Sequence, residues 1–492
     1  MAKWIKNLVL CFCFLSIAVF TLSGCGTTLS AFSDNPSSDD VVTGNGTLAV
    51  TKGDYLYFVN GYIGYADVGD TNYDGKITYP ALYRIKLDSD GHPVDVATEY
   101  DDDGNEIFDG SNSLEDVDIM ARKVVGFEYT GIYIFGDYLY YASPYNGKDT
   151  DLSVQSDQID FFRIKLDRSS SSELIYTTSS VGSSVNYTMM SIDDDVYMVI
   201  LDGSNLVSIK YNENNQKSVN TVSDEATGVA LPKYTASNQI VSDFNHYIYY
   251  TRDLNDDDGT SYTQGNVLCK YDLTTSTNSD KVFADNNSTI TLKVVSSSKL
   301  FYEKTCSDWQ NSDAILYAIT SESDINTNDE VRVCNSYSTY VVATSGNNTI
   351  IVDDSTNNVL LLLNYPDCNP ITLYSGSATI IKVQGDYIYF TNDSDNTIMR
   401  LNYVQYARYV KGEITTVPSA ETLSGSDIKV KTGTVSLVCV DGEKIYYMKS
   451  YTSGNYYLHM IDLGVIDEDT DTYYDHFVGV LQTADYDTED TE

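Results

Sequence analysis

After residue 47, apolar and polar positions alternate with a period of two over short runs, and Gly, Asn and Asp interrupt the runs. That period sends successive side chains to opposite faces of a backbone, so it predicts short β-strands and no long amphipathic helix. One run recurs: Asp54-Tyr-Leu-Tyr-Phe58, Asp137-Tyr-Leu-Tyr-Tyr141 and Asp386-Tyr-Ile-Tyr-Phe390 are near copies. Looser copies are Asp195-Val-Tyr-Met-Val199, His246-Tyr-Ile-Tyr-Tyr250, Lys299-Leu-Phe-Tyr302, Asn348-Thr-Ile-Ile-Val352 and Lys444-Ile-Tyr-Tyr-Met448. A second strand follows several of them, as in Tyr83-Arg-Ile-Lys-Leu-Asp88 and Phe162-Arg-Ile-Lys-Leu-Asp167.

From Tyr55 to Ile445 the copies are spaced by about 56 residues on average, close to the unit length of a propeller blade once loops are added. The expected fold is all-β: a single β-propeller of about eight four-stranded blades over 47–482, with seven blades the alternative. A chain of separate β-sandwiches fits less well, because the strands repeat almost unchanged along the chain. The Tyr-x-Tyr alternation reads as packing of blade on blade. Tyrosines between strands, Tyr73, Tyr145 and Tyr262, together with Trp309, are better placed to stack on a ligand.

Charge then narrows the function. The 492 residues carry 30 Lys+Arg against 71 Asp+Glu, a formal net charge of −41. Such a surface repels nucleic-acid phosphates and anionic lipid headgroups. It is nonetheless 42% hydrophobic, enough for a large core, so composition does not indicate disorder. The run Asp485-Tyr-Asp-Thr-Glu-Asp-Thr-Glu492 reads as part of an acidic tail over 483–492.

The first 24 residues combine Lys3 and Lys6 with an apolar run from Leu8 to Phe20, the layout of a secretory signal. Leu22-Ser23-Gly24-Cys25 resembles the bacterial lipobox, which implies lipidation of the Cys25 thiol after cleavage. Stable membrane attachment would then come from the acyl chains. Residues 25–46 read as a flexible tether rich in Ser, Thr, Gly and Asp.

The stretch Gly385-Asp-Tyr-Ile-Tyr-Phe-Thr-Asn392 with Asn396-Thr-Ile-Met-Arg-Leu-Asn402 resembles a YWTD-type blade of low-density-lipoprotein-receptor propellers. It is more similar to bacterial extracellular propellers of unknown function. The resemblance implies a fold and assigns no active site; Tyr or Phe stands where the receptor blades have Trp.

Candidate chemistry is sparse. Asp70-Thr-Asn72-Tyr-Asp74-Gly75-Lys76-Ile77 resembles the start of an EF-hand or dockerin calcium loop, with Asp70, Asn72 and Asp74 as side-chain ligands and Lys76 offering its carbonyl. Ala81 stands at the twelfth position, so the usual bidentate carboxylate is missing and an ordinary polar turn is the competing reading. Of the mature cysteines, Cys306 and Cys334 are the first pair to consider for a disulfide, against a reading of them as buried small apolar residues. No nucleophile elbow, P-loop, zinc or dinucleotide motif occurs.

The longest intervals from the repeated strand to the next fall in blades one, two and four and place extra residues on one face. The acid-rich stretch Glu99–Asp118, with nine acids and no Lys or Arg, is expected to join blades one and two on that same face. The expected function is a monomeric, lipid-anchored, non-catalytic binding module at a bacterial surface, taking a cationic or hydroxyl-rich protein or glycan there. The alternative is a glycan-cleaving enzyme with paired carboxylates in the propeller funnel.

Overall fold

The computed structural model describes residues 31–62, 81–93, 99–100, 106–107, 117–121, 131–144, 159–179, 185–230, 246–253, 266–285, 288–296, 299–306, 314–320, 331–336, 340–345, 349–354, 357–364, 366–423, 435–452, 455–467 and 472–478. The strands form eight antiparallel four-stranded blades in chain order, so the chain is an eight-bladed β-propeller. Within each blade the strands follow one another as a meander, and the first strands of successive blades neighbour each other around the centre. Each blade runs down, up, down and up. The hairpins between second and third strands therefore share one face, here the upper face, with the connections between blades. The turns between first and second and between third and fourth strands share the lower face.

Apolar seams hold the blades together. Between blades 2 and 3, Tyr140, Phe161 and Ile159 pack against Met189, Ile200, Ile209 and Tyr211. Phe161 meets Tyr187 edge-on at 4.8 Å between centroids, a geometry that adds about 0.5–1.5 kcal/mol beyond burial. Tyr57, Tyr249, Tyr302, Tyr446 and Tyr447 are almost completely buried. The repeated tyrosines thus serve the seams.

Two seams share a further device built on an arginine of the third strand. Arg163 of blade 2 lies 4.3 Å from the Tyr138 ring of its own blade and 3.8 Å from the Tyr211 ring of blade 3. It donates to Glu173 and to Asn215 Oδ1 of blade 3. Arg400 of blade 7 faces Tyr387 of its own blade and Tyr473 of blade 8, donating to Glu421 Oε2 at 2.7 Å and Tyr473 Oη at 2.8 Å. Each guanidinium joins its own blade to the next through stacking and charged hydrogen bonds.

The ring closes between blades 8 and 1 without exchange of a whole blade strand, because the four strands of every blade come from one continuous stretch of chain, that of blade 1 with the paired short strands Glu99–Tyr100 and Glu106–Ile107 between its third and fourth. Gly61 and Tyr62 of blade 1 pair with Tyr456 and Asn455 of blade 8. Below this pairing, Asp462 Oδ2 meets His92 Nε2 at 2.8 Å and Lys444 Nζ at 3.0 Å, and Lys444 also donates to the Asp90 and Gly91 carbonyls. Burial disfavours the charged Asp462, but bonds from His92, the Gly464 N–H and Lys444 outweigh it and hold the carboxyl below its ordinary range.

Three expectations need correction. Residues 25–46 are not tether throughout, since the chain is docked from Phe32 onward. The Phe32 N–H donates to the Asp167 carbonyl, Val42–Thr43 pairs with the first strand of blade 1, and Asn45 exchanges two bonds with Ile134 of blade 2. The acid-rich stretch Glu99–Asp118 does not join blades 1 and 2. It falls within blade 1: the chain leaves the third strand, Ala81–Lys86, and re-enters at the fourth, Val117–Ala121, both at the lower end, opposite the hairpins between second and third strands. Cys306 and Cys334 lie on the second and fourth strands of blade 5, with the strand Ala314–Thr320 between them. Two strand spacings amount to about 9.6 Å, beyond the 4.4–6.8 Å Cα separation of a disulfide.

One short helix, Tyr403–Val410, sits between the last two strands of blade 7, capped by Asn402, whose side chain accepts from the Gln405 N–H at 2.9 Å. Among the described residues no helix is long and apolar enough to cross a membrane.

Candidate functional site

The upper face between blades 6 and 7 carries the most unusual grouping of ionisable side chains. The second strand of blade 6, Thr349–Asp354, begins as an apolar blade strand and ends in two acids. Side chains alternate along it: Ile351 joins the seam with Ile388 and Phe390 of blade 7, while Val352 faces Phe301 of blade 5. Asp353 shares the parity of Ile351 and therefore faces blade 7. It is 8% exposed, and its carboxyl has no hydrogen-bond partner among the described residues.

Blade 7 answers with a second carboxylate. Asp393 stands in the exposed four-residue hairpin after Tyr387–Asn392. Its side chain accepts from Thr391 Oγ1 at 3.0 Å and from Ser377 Oγ and Thr379 Oγ1, both at 3.2 Å. Its backbone N–H donates to the Ser377 carbonyl. These bonds fix Asp393 over the seam, whereas among the described residues no hydrogen bond reaches the Asp353 carboxyl.

Burial, then the negative charges of Asp393 and Asp354, push the Asp353 carboxyl up to about 6. Asp354 is turned to another task, accepting from the N–H and side-chain amide of Asn357 in the blade 6 hairpin. Tyr374, whose ring lies 4.9 Å from Phe390, faces the blade 7 hairpin acids; burial and the charges of Asp395 and Asp393 raise its phenol above the ordinary value. The arrangement pairs a buried carboxyl that holds its proton into the mildly acidic range with an exposed, firmly oriented carboxylate. Such a pair can donate a proton at one position and accept one at another.

The residues singled out in the sequence do not converge here. Cys25, the calcium-loop residues Asp70, Asn72, Asp74 and Lys76, and the stacking candidates Tyr73, Tyr145, Tyr262 and Trp309 all lie outside the described residues. Among the described residues no group of three or more His, Cys, Asp or Glu side chains is arranged to hold a metal ion. Asp353 was nevertheless visible in the repeat. The residue after the other strand copies is Val59, Ala142, Ile200, Thr251, Glu303, Thr391 or Lys449, and the acid among them, Glu303, is paired with Lys293.

No family model and no curated protein sequence matches the chain. Solved structures do. A puromycin hydrolase superposes with a TM-score of 0.44 at 9% identity, over 72% of this chain and 55% of that one. A prolyl endopeptidase gives 0.41 at 8% identity, over 72% and 49%. Prolyl oligopeptidase B from Galerina marginata gives 0.43 at 10%, over 70% and 50%. The chain spans about half the length of these structures. At such identities the likeness is one of propeller fold. The similar structures named here are of a hydrolase and of peptidases, which runs against the expectation of a non-catalytic module. The sequence carries no linear catalytic motif, and an acid pair brought together across two blades leaves none.

Proposed function

We propose that this propeller is a hydrolase, or the substrate-handling part of one, working at the upper face with Asp353 and Asp393 as its acid–base pair. The observation that supports it is the largely buried Asp353, with no hydrogen bond to its carboxyl among the described residues, beside the oriented Asp393. In the reaction, Asp393 takes a proton from water as the water oxygen bonds to the electrophilic carbon. The bond from that carbon to the leaving nitrogen or oxygen breaks, and the leaving atom takes the Asp353 proton. A lipid anchor on Cys25 remains part of the proposal, as does kinship with extracellular YWTD-like propellers.

The test is hydrolysis by the purified chain of fluorogenic peptides, the substrate class named for the similar structures, alongside β-linked glycans. Asp353→Asn and Asp393→Asn should each lower turnover by about 10²–10⁴-fold. Turnover undiminished in the double variant, or no cleavage of either substrate class, rejects the reading.

A further inference from the structure

Arg84 repeats the arginine device in blade 1, with one substitution of parts. Its own-blade partners are in place: the Tyr55 ring lies 4.7 Å from the guanidinium carbon, and Asp118 accepts from Nε at 2.7 Å. The next blade should supply an aromatic ring and a polar acceptor, as Tyr211 with Asn215 does for Arg163 and Tyr473 does for Arg400. Blade 2 turns Phe162, Ile164 and Leu166 of its third strand to the seam, and among the described residues no ring of blade 2 stacks on Arg84. The missing parts come from the N-terminal segment. The Phe32 ring lies 3.5 Å from the Arg84 guanidinium carbon and 4.1 Å from that of Arg168, and Asn35 Oδ1 accepts from Arg84 Nη1 at 2.8 Å. Asp34 adds a bond from Lys86 at 3.0 Å.

We propose that the lower seam between blades 1 and 2 is a binding site for a short peptide segment presenting an aromatic ring, an acid and then an amide, and that residues 32–35 fill it in cis. Arg84 is 3% exposed with the segment in place, so release of the segment uncovers a guanidinium that the other seams cover with framework residues. A covered cation stacked between rings gains more than an exposed one, which gives the site affinity for any segment carrying these groups in this order. The contact is made by side chains alone apart from the Phe32 N–H bond to Asp167, so the segment can leave without breaking a blade.

The experiment uses the full chain carrying Phe32→Ala with Asn35→Ala, and a synthetic peptide of residues 31–41. The variant should melt lower by roughly 2–6 °C, and millimolar peptide should restore most of the loss. The same peptide with alanine at the Phe32 position should not. Should the double variant fail to fold, Phe32→Leu keeps the apolar contact and removes the ring, and the same rescue is read on it. Unchanged melting of the variant, or a loss that the peptide leaves untouched, overturns the proposal.

Discussion

The Asp393 carboxylate, at a hairpin tip of blade 7, adds to burial in raising the proton affinity of Asp353 on blade 6. The folded Asp353 sits at about 6 against an ordinary 3.8. Its contribution to stability is therefore complete below the ordinary value and is lost as pH rises through about 6. Asp353→Asn removes the buried charge and should stabilise the protein by roughly 1–3 kcal/mol at pH 8, with little effect at pH 4. Urea unfolding at the two pH values checks this; a variant less stable than wild type at pH 8 contradicts the burial argument.

If Asp353 is the proton donor, turnover needs its protonated form. The rate should therefore fall above about pH 6, tenfold per unit once Asp353 is ionised. Thr391→Val removes one hydroxyl that orients Asp393 and should lower turnover while leaving the pH of that fall near its wild-type position. A profile flat from pH 5 to 8 is incompatible with the assigned acid.

The ring closure should be sensitive to the loss of one carboxylate. Asp462→Ala leaves Lys444 and His92 without their shared partner and should cost about 3–5 kcal/mol. Because the folded Asp462 is held below its ordinary value, its contribution is present above pH 3.8 and is lost as pH falls through the folded value. Hydrogen exchange should show Gly61, Tyr62, Asn455 and Tyr456 losing protection first. Uniform loss around the ring would mean that closure does not rest on this cluster.

Arg400→Lys keeps a positive charge but loses the planar fork shared by Glu421 and Tyr473. A cost of roughly 1–3 kcal/mol follows from the lost stacking and paired bonds. Chemical denaturation measures it, and a change within experimental scatter would show that charge alone suffices.

Cys269, Cys368 and Cys439 are free and buried, and burial pushes the Cys439 thiol up to about 12. A reducing agent should leave the melting temperature unchanged, and thiol reagents should label these cysteines only on unfolding. A fall in melting temperature on reduction would reveal a cross-link elsewhere in the chain.

The strands and their number were legible because each blade repeats one alternating tyrosine motif, and burying those tyrosines between blades leaves the pattern in the sequence. Seam chemistry was less legible. Arg84, Arg163 and Arg400 occupy matching places in three third strands, yet their partners Phe32, Tyr211 and Tyr473 come from different distances along the chain. The acid pair was hidden for the same reason. Asp353 and Asp393 are 40 residues apart and meet only because adjoining blades stand side by side. The face assigned to Glu99–Asp118 failed because interval lengths do not tell a hairpin inside a blade from a connection between blades.

The docking of Phe32 beside Asp167 also sets a leash. Cys25 and Phe32 are only seven positions apart, a reach of at most about 25 Å. A lipid on Cys25 would therefore hold the lower face close against the bilayer. The hairpins and the Asp353–Asp393 seam would be turned outward, so that whatever reaches that seam arrives from the medium and not along the membrane.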